Sequence, residues 1–398
     1  MRHILLTAGL SLAFAPVLAL PAWAVDAQAV SDRLVELLDE EGFDVEIGSA
    51  TEDGDDVVLG DVRFGEGDKQ FSYDEIRLEN VSEQGDYFLI ERTELPAKTV
   101  DMDDNAKMDL SSISLEKLQL LRQDDPEHIT PLQLDAFQME RMSISVPAGE
   151  FLVLEDLAGA GMTYDPEKPM EATGSVGSFV LDTQIPFGPN KDESAAMRKQ
   201  LADLGYSTIK GRGEGSGRYD PQSGVMSFAQ RMEFTDAASL QFEGEVSAAT
   251  PELMRELQKA DRKVSRIDDI EKQNKAMIED LAPLYGQLVL ETFSLRLEDA
   301  SLTNKLIGIA AERQNAAPEQ LKLQMAMMAP ALLASYVPAE LAQKVGEALQ
   351  TYLNDPQSLS ITIEPKDGTT IGQISDMVRS NPKELPAVLN PDITANQD

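Results

Sequence analysis

Apolar positions along this chain follow two periods, and the switches between them outline its elements. Over residues 26–41, Val30, Leu34, Leu37 and Leu38 recur on one helical face, acids take the other, and Gly42 supplies a stop. From about residue 43 to 185 the period drops to two. Phe71/Tyr73, Ile76/Leu78, Ile113/Leu115 and Met142/Ile144/Val146 each place apolar side chains on one strand face, and Phe179, Leu181 and Ile185 extend the habit. Gly85-Asp86, Pro147-Ala148-Gly149 and Asp165-Pro166 fall between the runs as turns. One-sided alternation predicts antiparallel strands with one dry and one wet face.

A helix is expected over 191–204, with Met197, Leu201 and Leu204 in register and Gly205 as its stop. Tyr219-Asp220-Pro221-Gln222-Ser223-Gly224 then reads as a hairpin turn. After it Met226, Phe228, Met232 and Phe234 alternate, and beyond Asp236-Ala237-Ala238 so do Leu240, Phe242 and Val246. That is a three-stranded meander. Its first strand carries Gly211, Gly213, Gly215 and Gly217 on one face, which predicts either close approach of another element or a bend in the sheet.

Thr250-Pro251 is a cap followed by a first-turn proline, and it opens a long helix. Leu253, Leu257, Ala260, Val264 and Ile267 form a seam that Ile278, Leu281 and Leu288 continue, with Pro283 as the kink. The pattern fits a helix lying across a sheet, or a protruding arm that meets a protein partner. Phe293, Leu295 and Leu297 mark a strand, followed by proline-punctuated helices over 301–314, 318–336 and 338–353. Leu321, Met325, Met328 and Leu332 share a stripe of the second helix. A strand at Leu359/Ile361/Ile363, a helix over 371–378 and a proline-rich end complete the chain. The expected architecture is therefore α+β: a long, curved antiparallel β-sheet of meanders, with helices packed on one side and a helical C-terminal module. It divides into 25–190, 191–249, 250–290 and 291–398.

Residues 1–24 read as an export signal. Arg2 and His3 precede an apolar stretch over 4–20, and Ala22-Trp23-Ala24 offers small residues where a signal peptidase inspects them; Ala27-Gln28-Ala29 is a second candidate. The expected address is periplasmic or secreted. The longest later apolar run, 325–333, is far too short to cross a bilayer, so no stable transmembrane segment is expected after cleavage.

Composition narrows the chemistry. With 70 acids against 34 Lys plus Arg the formal charge is −36, which argues against nucleic-acid binding. Spread along the chain, the acids read first as solubilising and second as a source of adventitious divalent-cation binding. There is no cysteine, so disulfides and thiolate chemistry are excluded. Beyond residue 24 the one histidine is His128, in a polar turn, too little for a catalytic triad or a histidine zinc site. The stretch Gly211–Gly217 lacks the Gly-Lys-Ser/Thr of a phosphate loop. Asp101-Met102-Asp103-Asp104-Asn105 starts like a calcium loop but continues with Ala106 where glycine is needed and Ser112 where glutamate should chelate. Asp53-Gly54-Asp55-Asp56 is an acidic turn. No cofactor is expected. A carboxylate-dependent hydrolase stays open as a minor alternative, because no acid pair stands out among so many.

Several C-terminal segments carry a resemblance. The turn at 219–224, Leu297-Glu298-Asp299-Ala300-Ser301-Leu302, Leu353-Asn354-Asp355-Pro356-Gln357-Ser358-Leu359-Ser360-Ile361 and Asn381-Pro382-Lys383-Glu384-Leu385 together resemble a poorly characterised group of exported bacterial proteins. More distantly, the chain is similar to AsmA-like periplasmic proteins. That resemblance implies an extended sheet offering an apolar groove to lipids and brings no catalytic residues; those proteins typically keep a membrane anchor, which is not expected here. The resulting expectation is a non-enzymatic envelope protein that binds a lipid-like ligand or a protein partner on its amphipathic sheet. The candidate surface is Phe228, Phe234 and Phe242 on the meander and Leu321, Met325, Met328 and Leu332 on the helix. The alternative is a structural or assembly factor working through the 251–281 helix.

Overall fold

The computed structural model describes residues 25–65, 70–102, 105–123, 130–186, 194–267, 269–334, 337–366 and 368–397. The expected signal segment, His128, and Asp103 and Asp104 of the acidic cluster lie outside these residues. Helix α1 (Ala27–Glu40) starts where Asp26 accepts hydrogen bonds from the backbone N–H groups of Gln28 and Ala29. Strands β1 (Val45–Asp53), β2 (Asp56–Phe64), β3 (Phe71–Gln84) and β4 (Tyr87–Leu95) follow as hairpins. The short β5 (Lys98–Asp101) and β6 (Lys107–Leu110) form a side hairpin, with β6 pairing the end of β8. The meander resumes with β7 (Ile113–Leu121), β8 (Leu132–Val146), β9 (Gly149–Ala160) and β10 (Met170–Asp182). After α2 (Ser194–Asp203) it continues with β11 (Thr208–Asp220), β12 (Val225–Phe234) and β13 (Ala238–Ser247).

Helices α3 (Pro251–Ser265), α4 (Ile270–Ala276) and α5 (Ala282–Tyr285) precede β14 (Val289–Asp299). Then come α6 (Leu302–Gln314), α7 (Pro318–Leu333), α8 (Ala339–Asn354), β15 (Ser358–Ile363), α9 (Ile371–Ser380), α10 (Leu385–Leu389) and β16 (Pro391–Ala395). Every strand pair is antiparallel, and the sheet runs in chain order from β1 to β16 without closing, apart from the β5–β6 hairpin. The α+β meander sheet with helices against it is as expected.

Register makes the sheet one-sided along its whole width. Directly paired residues share a face, and one row runs Leu78, Thr93, Leu115, Phe137, Gly159, Gly174, Gly215, Gln230, Phe242, Leu295, Ile361, Ile393 across twelve strands. Opposite it lies a wet face tied by ion pairs. Arg212 meets Glu233 at 2.7 Å, Arg231 bridges Glu233 and Glu298, and Arg296 joins Glu298 at 3.1 Å. Arg212, then Arg231, holds the Glu233 carboxyl below its ordinary range by hydrogen bonding.

Within the N-terminal half, strict alternation is broken in a repeated way. Asp61, Asn80, Lys117 and Asp156 have φ between 51° and 53°. Past each of them the alternation inverts, so inward residues lie three apart: Leu59/Val62, Leu78/Val81, Leu115/Leu118 and Leu154/Leu157. Partner strands invert at the same level (Tyr73/Ile76, Ile90/Thr93), so the register there is undisturbed. Asp and Asn tolerate the left-handed region better than most residues; lysine does so less readily.

Three cores cover parts of the apolar face. Val30, Leu34 and Leu37 of α1 pack on Val57, Leu59, Ile76 and Ile90, each fully buried aliphatic side chain contributing about 1.5–3 kcal/mol. Helix α1 touches β1, β2 and also β7. Helix α1 meets the two ends of the run from β1 to β7 more closely than it meets β3 and β4 between them, so the sheet curls around it. Helices α3 and α5, with the turn between, pack on Tyr219, Met226 and Val246. Helices α6–α8 pack on Leu297, Leu359 and Ile393.

Several expectations are corrected. The 250–290 segment is not one long helix. Asp269 caps α4 anew, a π-helical turn occupies Met277–Leu281, and the second part folds back so that Lys263 meets Asp280 at 2.8 Å. Leu257, Val264 and Leu281 of the seam are core residues, whereas Ile278 is 70% exposed. Ile185 lies beyond the end of β10, Met197 is exposed on α2, and the proline-rich end contains α10 and β16. The glycines of β11 divide. A Cβ on Gly211 would sit 2.0 Å from the Glu233 carbonyl oxygen and 2.5 Å from the Phe179 ring, so a backbone carbonyl and a neighbouring ring together explain it; on Gly213 the nearest atom is 3.9 Å away.

Two expected outcomes follow from this packing. In urea denaturation, Gly211→Ala should destabilise by about 1–3 kcal/mol through overpacking, while Gly213→Ala should be neutral or stabilising by up to about 1 kcal/mol. Equal effects at both positions would contradict the aromatic close approach. Tyr219 is buried, its hydroxyl donates to the Ala249 carbonyl at 3.0 Å, and burial pushes its pKa up to about 12. Because the neutral form is favoured in the fold, its stabilisation is complete below the unfolded value near 10 and is lost as pH rises towards 12. Burial also raises Tyr73, Tyr164 and Tyr352, so ultraviolet titration should show several late tyrosinates, and Tyr219→Phe should remove one that ionises near 12.

Candidate functional site

Curling the sheet around one helix leaves more inward surface than α1 can cover. Its stripe of Val30, Leu34, Leu37 and Leu38 seals the strip above β2 and β3. Beside it, over β2–β4, β7 and the start of β8, a cavity of about 600 Å³ remains. Its floor is Leu59, Val62, Ile76, Leu78, Leu115 and Leu118, and Val45, Ile47, Phe64, Leu95, Leu132 and Leu134 extend the apolar wall. The inverted alternation shapes this floor: Leu59/Val62 and Leu115/Leu118 face inward from either side of Asp61 and Lys117. The size falls within the roughly 300–1,000 Å³ of small-molecule sites, and apolar walls with a few polar groups are their usual chemistry.

The rim is polar and is made where two distant parts of the chain meet. Gln258, Asp261 and Arg262 of α3 face Glu41 and Phe43, which follow α1; Phe43 is 59% exposed. Arg262 Nη2 lies 2.6 Å from Glu41 Oε1 and Nη1 lies 3.4 Å from Glu40 Oε2. Arg266 donates to the Asp39 carbonyl. These arginines meet three successive acids and the partial negative charge of the α1 C-terminus, which makes a clasp between α1 and α3 at the edge of the cavity. Two hydroxyls interrupt the apolar wall, those of Thr93 on β4 and Thr130 just before β8.

The residues singled out from sequence lie elsewhere and fall into two groups. Phe228, Phe234 and Phe242 share the apolar face, on β12 and β13. Phe228 is 40% exposed with its ring over Gly244, and Phe234 meets Phe179 edge to face at 5.8 Å. Phe242 is half-buried between Gln230 and Leu295. On α7, Leu321 is a core residue packed with Ile307 and Tyr352, so it cannot belong to an accessible surface. Met325, Met328 and Leu332 are exposed, because α7 docks through Leu321, Ala326 and Pro330, the last against Gly346 of α8, and these three point away from that contact. None of the seven lines the cavity. A signal that could have found the cavity is the set of apolar pairs spaced by three around Asp61, Asn80 and Lys117, which break the period-2 runs on its floor.

Among the described residues no group of three or more His, Asp or Glu could hold a metal ion, and no helix is long and apolar enough to cross a membrane.

A protein-family model described only as "Uncharacterized protein" matches residues 231–396, from within β12 to the end of β16. The cavity-forming strands precede that stretch. No curated protein matches the chain.

Removing the clasp should loosen α1 without unfolding the sheet. Arg262→Ala is expected to cost about 1 kcal/mol or less in global stability, as partly exposed ion pairs do. It should nevertheless speed hydrogen exchange at the α1 C-terminal amides, and high salt should mimic it in the parent protein. Unchanged exchange there would show that the clasp does not restrain α1.

Proposed function

We propose that this is a non-enzymatic protein of the cell envelope that binds a lipid-like apolar ligand in the cavity bounded by α1, the curled N-terminal sheet and α3. The observation that carries this reading is the cavity itself, about 600 Å³ walled by leucine, isoleucine, valine and phenylalanine. Protein interiors are close-packed, with few voids larger than a water molecule. A dry apolar cavity of about 150 Å³ already takes up benzene, and this one is roughly four times larger.

Other features support the same reading. The long, unclosed, one-sided antiparallel sheet agrees with the extended sheet and apolar groove that the resemblance to AsmA-like proteins implies. The export signal expected at 1–24 would bring such a protein to the envelope. Among the described residues Glu41 and Asp261 are the cavity's carboxylates; both stand at the rim, and Glu41 is bound to Arg262. That favours binding over carboxylate hydrolysis, which needs two acids facing one bond. With a formal charge of −36, approach to an anionic bilayer is repulsive, so ligand exchange would rely on local apolar contact.

Organic extraction of the purified full chain followed by mass spectrometry should recover a lipid. The delipidated protein should bind an apolar fluorescent dye such as N-phenylnaphthylamine saturably. Leu118→Trp, which fills the floor, should weaken dye binding at least about tenfold while leaving circular dichroism unchanged. Clean extracts together with no saturable dye binding by folded protein would remove the proposal.

A further inference from the structure

The exceptions in the cavity wall define a class of ligand. Thr93 stands in the register row between Leu78 and Leu115, both of which line the cavity, so its side chain faces the same space. It is 2% exposed, and its Oγ1 is buried with no hydrogen-bond partner among the described residues. The Oγ1 of Thr130, on the same wall, is also buried and without a partner among those residues. A buried hydroxyl left unpaired costs about 1–3 kcal/mol. Valine has the same shape and no such cost, so packing alone does not account for threonine at either place. Each hydroxyl can both donate and accept.

Charge at the rim sharpens the assignment. Among the described residues Arg262 is the one cation that lines the cavity, and it is already engaged by Glu40 and Glu41. Asp261 adds a further negative charge beside it. A carboxylate or phosphate drawn into this site would be desolvated beside a rim where acids outnumber the one arginine already paired to them, which is unfavourable. A neutral polar group meets no such opposition.

Resting on the lipid-binding reading above, we infer that the ligand is an uncharged amphiphile carrying hydroxyl or ester groups, which pair with Thr93 and Thr130 while its chain lies on the leucine floor. An ionised fatty acid or a phospholipid headgroup is selected against.

Displacement of bound N-phenylnaphthylamine from the full chain tests this with two probes of equal chain length, monolauroylglycerol and ionised laurate. The glyceride should compete at least about tenfold better than laurate. Thr93→Val should weaken the glyceride about fivefold, the loss of one net hydrogen bond, while dye affinity stays in place and the melting temperature of the ligand-free protein holds or rises. Thr130→Val gives an independent second variant should the first not fold. Laurate competing as well as the glyceride would overturn the inference, as would valine substitutions that leave glyceride binding unchanged, since the hydroxyls would then serve water only. Failure of the dye itself to bind would instead remove the underlying lipid-binding reading, and this inference with it.

Discussion

The antiparallel ladder imposes one constraint on everything else in this molecule. Because paired residues share a face, fourteen strands joined in chain order carry a single apolar surface from β1 to β16. Such a surface must be shielded from water, and each helix along the chain is placed where it shields part of it. Helix α1 covers the first strands, α3 and α5 the middle, and α6–α8 the last. Coverage is uneven. Over the central strands the face thins to glycine, at Gly159, Gly174 and Gly215, between Phe137 and Phe242. At the N-terminal end it curls away from its helix and leaves a cavity.

Curling and cavity share a cause. Left-handed residues at Asp61, Asn80 and Lys117 invert the pleat at matching levels on neighbouring strands and keep the register continuous. Each inversion turns two successive residues outward, so the inward residues on either side of it lie three apart. The stripe of the fourteen-residue α1 covers only part of the inward face so shaped, and the uncovered part is the cavity floor. Ion pairs from Arg262 and Arg266 then hold α3 against the end of α1, so the cavity has a polar rim over an apolar interior. The amphiphile proposed above fits that arrangement, with Thr93 and Thr130 as its unpaired polar points among the described residues.

Much of this was readable in the residues themselves. The period-3.6 stripe of α1, the period-2 runs, the 219–224 turn, the Thr250-Pro251 cap and the three C-terminal helices are local signals. They depend on neighbours three or four positions away, and the structure keeps them. Alternation alone also determined that the strands would be antiparallel with one dry face. What the chain could not disclose was which apolar residues end up facing water and which face each other. Leu321 and Met325 sit on the same helical stripe, yet one is core and the other exposed, because that depends on where α7 meets α8 and the sheet. Likewise Ile76, Leu115 and Leu118 become the floor of one cavity only when strands distant in sequence are brought side by side and bent around α1. Periodicity reports the direction of a side chain relative to its own backbone; the fate of that side chain rests on curvature and on what else arrives, and those are properties of the assembled sheet.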